Sequence, residues 1–477
     1  MPRRASGIDC YEKQRLILLV RTARTAQVAW LPGAARNATS VIADPWKERT
    51  MRRRRLWVLA TLTALVLPLV TTTAARAALP AVSASATTAA RTVTAVKGDW
   101  PQGRHDPAHT SFNPDERQIS PNNVGHLHVA WEQPGLISTP SETLEGNVGT
   151  PIVADGTAFV PKSNNDAGVG ALAAYNARTG RPKWQVRTDC VVGQALHAGL
   201  LLVGQVGCRP SSFSSDLMAL DPATGNQLWR ISDREQTSAP TAADGVIYVS
   251  SANEDVIPPL THEVRAVDAR TGQIRWTVPT SERSGQPAAA TGRILFCSGA
   301  TLSAVAAADG SPLWSAALTG DRCGNAVPTV SGGIVYLQTA FEGIVGDGVC
   351  HLHALRLEDG SPLWQRVVAC DGGVAVAYGQ VFTSAADFTL LALDARTGAQ
   401  AWTSADRLNA GGTPTVANHV LYAQTTDGFA AYRASDGARR LLLPLRGLGQ
   451  PVVAHGFVYV GKVTASFEGS VLQALHK

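Results

Sequence analysis

The sequence predicts an all-β chain that forms an eight-bladed β-propeller of four-stranded antiparallel blades. Two observations predict this fold: a turn-plus-tryptophan pattern that recurs along the chain, and eight paired β-rich runs that accompany it. A third observation, an isolated strand near residue 130, predicts that the N-terminal strand pairs with the C-terminal blade and closes the ring. Propeller blades characteristically repeat every 40 to 50 residues or so, which agrees with the spacing here.

The repeated pattern is a Thr-Gly or Asp-Gly turn with Trp four residues after the Gly. Successive turn glycines are separated by 45, 47, 38, 50, 38 and 39 residues, so one unit recurs while its loops vary in length. The turn glycines are Gly180, Gly225, Gly272, Gly310, Gly360, Gly398 and Gly437. The tryptophans expected to dock neighbouring blades are Trp131, Trp184, Trp229, Trp276, Trp314, Trp364 and Trp402. After Gly437 the seventh copy has Leu441 where Trp is expected.

Each unit contains four strand signals, which we name A, B, C and D in chain order. In the unit that ends at Trp276, Asp244-Gly245 joins two β-rich runs, as expected for the A–B hairpin. Strand C follows at 264–268, and Trp276 ends strand D. Eight A–B pairs are predicted, at 151–160, 195–203, 240–250, 287–296, 328–337, 374–382, 414–422 and 451–460.

Ring closure follows from the two ends of this array. The last unit ends at strand C, 471–475, without a strand D, whereas residues 126–131 form a strand D with no A to C before it. We therefore expect Trp131 to complete the eighth blade, which removes exposed strand edges.

The segment before the array has the features of export. Arg52 to Arg55 precede an apolar run, 56–70, and Ala75-Arg76-Ala77 supplies a small-x-small cleavage site. The run is shorter than the roughly 20 residues of a membrane span, although an uncleaved anchor is the alternative. We interpret 1–50 as a non-native upstream extension, 51–77 as a signal peptide, 78–97 as a flexible linker and 98–477 as the propeller, secreted or extracytoplasmic. No cysteine stands immediately after the apolar run, which disfavours a bacterial lipid anchor.

The charge distribution argues against nucleic-acid binding. The formal net charge of the whole chain is +5, but residues 1–77 hold 14 Lys/Arg and 4 Asp/Glu. The remainder has 28 basic and 33 acidic residues, a net charge of −5, without a basic block to neutralise phosphates.

The Ala-x-Asp-x-x-Thr-Gly-x-x-x-Trp pattern, as in Ala219 to Trp229, resembles the pyrroloquinoline-quinone-type (PQQ-like) propeller repeat. The lead-in Asp99-Trp100-Pro101-Gln102 is similar to the start of many such propellers, and the resemblance covers about 98–477. It implies either a quinone-dependent dehydrogenase or a binding scaffold. In the dehydrogenases the quinone lies between a Trp and a disulfide of adjacent cysteines, beside Ca²⁺ held by acidic and amide groups. This chain has no adjacent cysteines, so no catalytic residue can be carried over.

The cysteines of the propeller, an even number behind an export signal, favour disulfides. They are Cys190, Cys208, Cys297, Cys323, Cys350 and Cys370. The blade map places all of them in D–A or B–C connections, which emerge on the same side; we name this side the B–C loop face. Proximity predicts the pairs 190–208, 297–323 and 350–370. The alternative pair 323–350 would leave Cys297 and Cys370 two blades apart. A metal site is the rival interpretation, but there is no Cys-x-x-Cys pair.

Other candidate sites have weaker signals. His126-x-His128 and His351-x-His353 each place two imidazoles on one strand face and could bind a metal, but packed or surface histidines are the favoured interpretation. Glu254-Asp255, near Pro258-Pro259, could contribute to a Ca²⁺ or partner site, although solvated loop acids are favoured.

The sequence therefore predicts a monomeric, exported, non-catalytic scaffold that binds a protein or cell-envelope component through its B–C loop face. No cofactor or metal site is predicted, and the membrane is involved only if the signal is retained. The alternative is a PQQ- and Ca²⁺-dependent alcohol or sugar dehydrogenase. A glycan-binding or glycan-cleaving propeller ranks lower, because no carboxylate pair is identifiable.

Overall fold

The computed structural model is an eight-bladed β-propeller, in agreement with the sequence. It describes residues 94–209, 215–233, 236–253, 261–318, 321–323, 325–341, 350–370, 373–409, 412–464 and 469–477. The predicted upstream extension, signal peptide and first part of the linker, and the acidic loop residues 254 and 255, lie outside these ranges. Among the described residues, no helix combines the length and apolar character needed to cross a bilayer.

The strands occur in the predicted order A to D, and the following lists run from blade 1 to blade 8. The A strands are Ile152–Ala154, Cys190–His197, Thr241–Ala243, Ala288–Ala290, Thr329–Ser331, Ala375–Ala377, Thr415–Ala417 and Gly447–Ala454. The B strands are Thr157–Asn164, Leu200–Val206, Val246–Asn253, Arg293–Ser298, Ile334–Phe341, Gln380–Ser384, Val420–Thr425 and Phe457–Val463. The C strands are Val169–Asn176, Ser215–Leu220, Thr261–Asp268, Thr301–Ala306, Cys350–Arg356, Thr389–Asp394, Gly428–Arg433 and Ser470–His476. The D strands are Pro182–Thr188, Gln227–Asp233, Ile274–Pro279, Pro312–Ala317, Pro362–Val368, Gln400–Arg407, Arg439–Leu443 and His128–Pro134.

Smaller elements complete the sheets. Asn147–Val148, Gln236–Thr237 and Asp321–Arg322 add short strands to the B strands of blades 1, 3 and 5. Phe112–Asn113 pairs in parallel with strand A of blade 7. Ile137–Ser138 and Thr143–Leu144 form a two-stranded hairpin, and Val124–His126 is a short 3₁₀ helix.

The predicted ring closure is present. Strand D of blade 8 comes from the N-terminal side, and it pairs antiparallel with the last strand of the chain, with Trp131 opposite Ala474. The two ends of the array are thus joined by a backbone ladder, and strand C of blade 8 is paired on both sides.

The hydrophobic core lies between the sheets. Each blade junction has its own cluster of buried side chains; that between blades 8 and 1 contains Val153, Tyr175, Tyr459 and Leu472. Neighbouring blades bury one another, so stability is expected to be distributed around the ring as nearest-neighbour terms.

Candidate functional site

Every blade-end tryptophan bridges two neighbouring blades. The Trp276 indole N–H, for example, donates to the Ala307 carbonyl oxygen in the C–D turn of the next blade, at 3.1 Å. Six other indoles do the same, at 3.0 to 3.2 Å; these belong to Trp131, Trp184, Trp229, Trp314, Trp364 and Trp402. The polar end of each ring therefore has a hydrogen-bond partner while its face fills the junction.

The turn glycines lie against these rings. Gly310 has φ +74°, and a Cβ built there would be 2.9 Å from Cε3 of Trp276 of the preceding blade. The same contact recurs at Gly180, Gly225, Gly272, Gly360, Gly398 and Gly437. Glycine is required both for its left-handed backbone and for the close approach of the indole.

The remaining residues of the pattern each have a defined contact. The Ala lies opposite the Trp in the C–D pair, as in Ala266 with Trp276, and a register shift follows directly. The Asp caps the turn: Asp268 Oδ1 accepts the backbone N–H of Arg270 and Thr271. The Arg275 guanidinium, together with Thr271, holds the pKa of Asp268 far below its ordinary value.

Three disulfides stiffen the B–C loop face, with the predicted pairing. They join Cys190 to Cys208, Cys297 to Cys323, and Cys350 to Cys370. Cys297 and Cys323 are buried, and their bond ties the end of strand B in blade 4 to the connection leading into blade 5. All six cysteines of the propeller are used in these bonds.

Residues 99–113, which we name the strap, contact the A strands of all eight blades. The A strands form the buried edge of each sheet, whereas the D strands form the outer edge, where exposed and partly buried residues alternate. The strap forms hydrogen bonds with one residue in each A strand, in blade order from 1 to 8. These residues are Val153, Leu196, Ala242, Ala289, Val330, Val376, Val416 and Val453. These bonds occupy backbone groups on the inner edge of the ring that would otherwise have no partner.

The strap has an unusual backbone and a buried histidine. Arg104, His105, His109 and Ser111 all have positive φ, between 53° and 79°. The His109 ring is fully buried, with Nδ1 at 3.1 Å from the Pro328 carbonyl and Nε2 at 3.0 Å from the Thr241 hydroxyl. Because the carbonyl can only accept, Nδ1 carries the proton. Burial and the nearby Arg104 charge lower the pKa of His109 to about 4.

The two histidine pairs differ. His126 ends the 3₁₀ helix and His128 begins a strand, so the expectation that they share a strand face is wrong. His351 and His353 do share a face, and both contact Asp321: His351 Nδ1 is 2.9 Å from one carboxylate oxygen and His353 Nε2 is 2.7 Å from the other. Burial lowers the pKa of His353, and the bond to Asp321 opposes this. The cluster ties the connection before blade 5 to its strand C.

The residues that the structure describes do not fit the quinone site that the resemblance implies. Each disulfide joins cysteines at least 18 residues apart, so there is no adjacent pair to cover a quinone ring. Asp106, one of the two carboxylates of the strap, accepts the Thr110 backbone N–H at 3.0 Å and also binds the Thr110 hydroxyl. Within the described ranges, no group of three or more His, Cys, Asp or Glu is arranged to hold a metal ion.

The strap and Asp321 were the parts of the site that sequence reasoning missed. The lead-in 99–102 was recognisable, but nothing in the sequence signals the path of the strap around the ring. Asp321 lies 30 residues from His351, and only the folded blade brings them together.

Comparison with known proteins places this chain among propellers of two different functions. It is 27% identical over 181 residues to a 1-butanol dehydrogenase (cytochrome c) from Thauera butanivorans, which covers 34% of this chain and only 23% of that protein. The fold matches a quinohemoprotein alcohol dehydrogenase from Comamonas testosteroni, with TM-score 0.60, 15% identity and coverage of 80% and 81% of the two chains. It also matches BamB from Moraxella catarrhalis, with TM-score 0.55, 16% identity and coverage of 74% and 100%.

The family model described as "Outer membrane protein assembly factor BamB" matches residues 128–257 and 260–475, which include most of the propeller. Because this match spans well over half of the sequence, the chain belongs to that family and is a PQQ-like β-propeller.

Proposed function

We propose that this protein is an exported, non-catalytic scaffold whose B–C loop face binds a protein or cell-envelope partner. An extracytoplasmic location is supported by the three disulfides, which persist in oxidising compartments. The BamB family match supports a binding role, since the family model is described as an assembly factor.

The observation that carries the proposal is the use of the cysteines. All six stiffen the rim of one face, and such rigid scaffolds with variable loops are how repeat proteins present binding surfaces. The rim also carries exposed charge: Arg322, next to Cys323, forms an ion pair with Glu282 of the preceding D–A connection. Arginine at a rigid surface is a frequent contributor to protein interfaces.

Charge reversal tests the choice of face. Residues 78–477 and the Glu282→Arg variant would be used to capture partners from an envelope extract, with Arg270→Glu as the matched control. Arg270 is exposed in the C–D turn of blade 3, on the opposite face. We expect Glu282→Arg to reduce recovery of the captured partner and Arg270→Glu to leave it unchanged. Equal recovery by both variants, or loss only with Arg270→Glu, contradicts the proposed face.

The second candidate is a quinone-dependent alcohol dehydrogenase, favoured by the similarity to the 1-butanol dehydrogenase. The purified protein would be incubated with the quinone and Ca²⁺, and then with 1-butanol and an electron-accepting dye. The scaffold proposal expects neither a shift in quinone absorbance nor dye reduction above the protein-free control. Saturable dye reduction would replace the scaffold with the enzyme.

A further inference from the structure

A cavity lies at the seam of the ring, on the face opposite the disulfides. Its volume is about 390 Å³, and it is surrounded by residues of blades 1 and 8 together with Val96, before the strap, and Gln118, after it. Sites for small molecules are usually concave, mostly apolar and 300 to 1,000 Å³ in volume, roughly, with a few polar groups that converge. The seam cavity has a volume in this range, and its lining combines apolar and polar side chains.

The floor of the cavity is aromatic. Phe457 and Tyr459 are both buried, and the Tyr459 hydroxyl donates to the Ala177 carbonyl oxygen at 3.0 Å. Val96 lies at the edge and is 53% exposed, an apolar side chain that a ligand would cover.

Two cationic side chains stand over this floor. The Arg178 guanidinium lies 5.9 Å from the centre of the Phe457 ring, and it makes no hydrogen bond or ion pair with the residues the structure describes. His455 Nε2 is 2.6 Å from Asp99 Oδ1, and the Asp99 carboxylate raises the pKa of His455. His455 therefore carries positive charge to a higher pH than an ordinary histidine, which leaves its Nδ1–H as a donor.

Two carboxylates near His455, Asp99 and Glu116, already accept hydrogen bonds. Asp99 is buried, and its second oxygen accepts the backbone N–H of Val96 at 2.6 Å and of Asp155 at 3.1 Å. Glu116, which also acts on His455, accepts the Gly456 N–H at 2.9 Å. Asp155 lines the rim of the cavity. No described carboxylate is paired with Arg178.

We infer that the seam cavity binds a small organic anion with an apolar body and one carboxylate. The body would lie on Phe457 and against Val96, and the carboxylate would lie between Arg178 and His455. A guanidinium fork matches the two oxygens of a carboxylate, and the apolar surroundings strengthen the bond. The site is independent of the proposed scaffold function, because it lies on the other face and uses none of the rim residues.

Calorimetric titration of residues 78–477 with 3-phenylpropionate tests this site, with 3-phenyl-1-propanol and acetate as probes that lack the charge or the apolar body. We expect saturable binding of 3-phenylpropionate and binding at least about tenfold weaker for the other two, since one charge-assisted hydrogen bond is worth about that factor. Arg178→Gln should weaken binding by about tenfold or more. Arg181→Gln is the matched control, because Arg181 is exposed in the same turn and lies outside the cavity.

The pH dependence of ligand affinity distinguishes a contribution of His455 from a general effect of the protein's charge. Affinity of the unmodified protein should fall as the pH rises through the raised pKa of His455, and His455→Gln should remove this dependence. Thermal unfolding of each variant checks that it is folded, and Phe457→Leu provides a second test through the floor. No saturable binding, equal binding of the alcohol, or unchanged affinity in Arg178→Gln would overturn the site.

Discussion

Two glycines of blade 4, Gly310 and Gly292, allow the contribution of the blade junction to stability to be measured. Both have left-handed backbones, with φ of +74° and +73°. A Cβ at Gly310 would meet Trp276 at 2.9 Å, whereas a Cβ at Gly292 would have no heavy atom within 4 Å. Gly292→Ala therefore has only the backbone cost, and Gly310→Ala has the same cost plus displacement of the indole.

The structure sets the expected magnitudes. A left-handed alanine costs about 1–2 kcal/mol, which is our expectation for Gly292→Ala. Forcing a methyl group into a packed contact adds about 1–3 kcal/mol in Gly310→Ala. Trp276 is 9% exposed, so Trp276→Ala alone should cost about 3–5 kcal/mol. When Trp276→Ala is combined with Gly310→Ala, the methyl group introduced at position 310 no longer meets the indole ring. The double variant should therefore be more stable than the sum of the two single costs predicts, by about 1–3 kcal/mol.

Urea unfolding followed by far-ultraviolet circular dichroism would give the free energy of unfolding for the unmodified protein and the four variants. The coupling between Trp276 and Gly310 is the decisive quantity. If Gly310→Ala costs no more than Gly292→Ala, or if the costs at 276 and 310 simply add, the indole does not dock on the turn as described.

Three further predictions concern His109, the disulfide between Cys297 and Cys323, and Leu441. The folded protein keeps His109 neutral down to a pKa of about 4, whereas the unfolded chain takes up a proton near pH 6.5, so this contribution is complete above that pH. The free energy of unfolding should fall progressively as the pH drops from about 6.5 to about 4, a total loss of roughly 3 kcal/mol that His109→Gln should lack. The paired change Cys297→Ser with Cys323→Ser opens a loop of 26 residues and should cost about 3 kcal/mol in urea unfolding, compared with the intact disulfide. Leu441→Trp should destabilise the protein by about 1–3 kcal/mol, despite restoring the repeat pattern, and a gain in melting temperature would contradict our account of Leu441 at the junction of blades 7 and 8.

The sequence predicted the architecture because the residues of the repeat interact locally and with one neighbouring blade. Asp268, Thr271 and Gly272 build one turn, and Trp229 of the blade before docks on it. The indole contact recurs at seven of the eight junctions, so a single sequence pattern predicts nearly the whole ring. The disulfide pairing was predictable for the same reason, since each bond lies within one blade or between adjacent blades.

The strap and the seam cavity were not predictable, because their contacts are not repeated. Trp100 meets blade 1 and Asn113 meets blade 8, and the path between them depends on left-handed residues that have no signature when they are not glycine. Beside the cavity, His455 contacts Asp99, which lies 356 positions away in the sequence. Local propensity carries no information about such pairs.

Leucine replaces tryptophan at position 441 because the next blade, blade 8, has no C–D turn for a tryptophan to contact. In blades 1 to 7 a C–D turn receives the tryptophan of the blade before, but strands C and D of blade 8 belong to opposite ends of the chain. The position of the turn is taken by the helix Val124–His126, whose Val124 packs with Leu127 and Leu441 in one apolar cluster. An indole there would face this apolar cluster instead of a Thr-Gly or Asp-Gly turn. The missing tryptophan therefore marks the junction where the ring is closed by pairing instead of by a covalent turn.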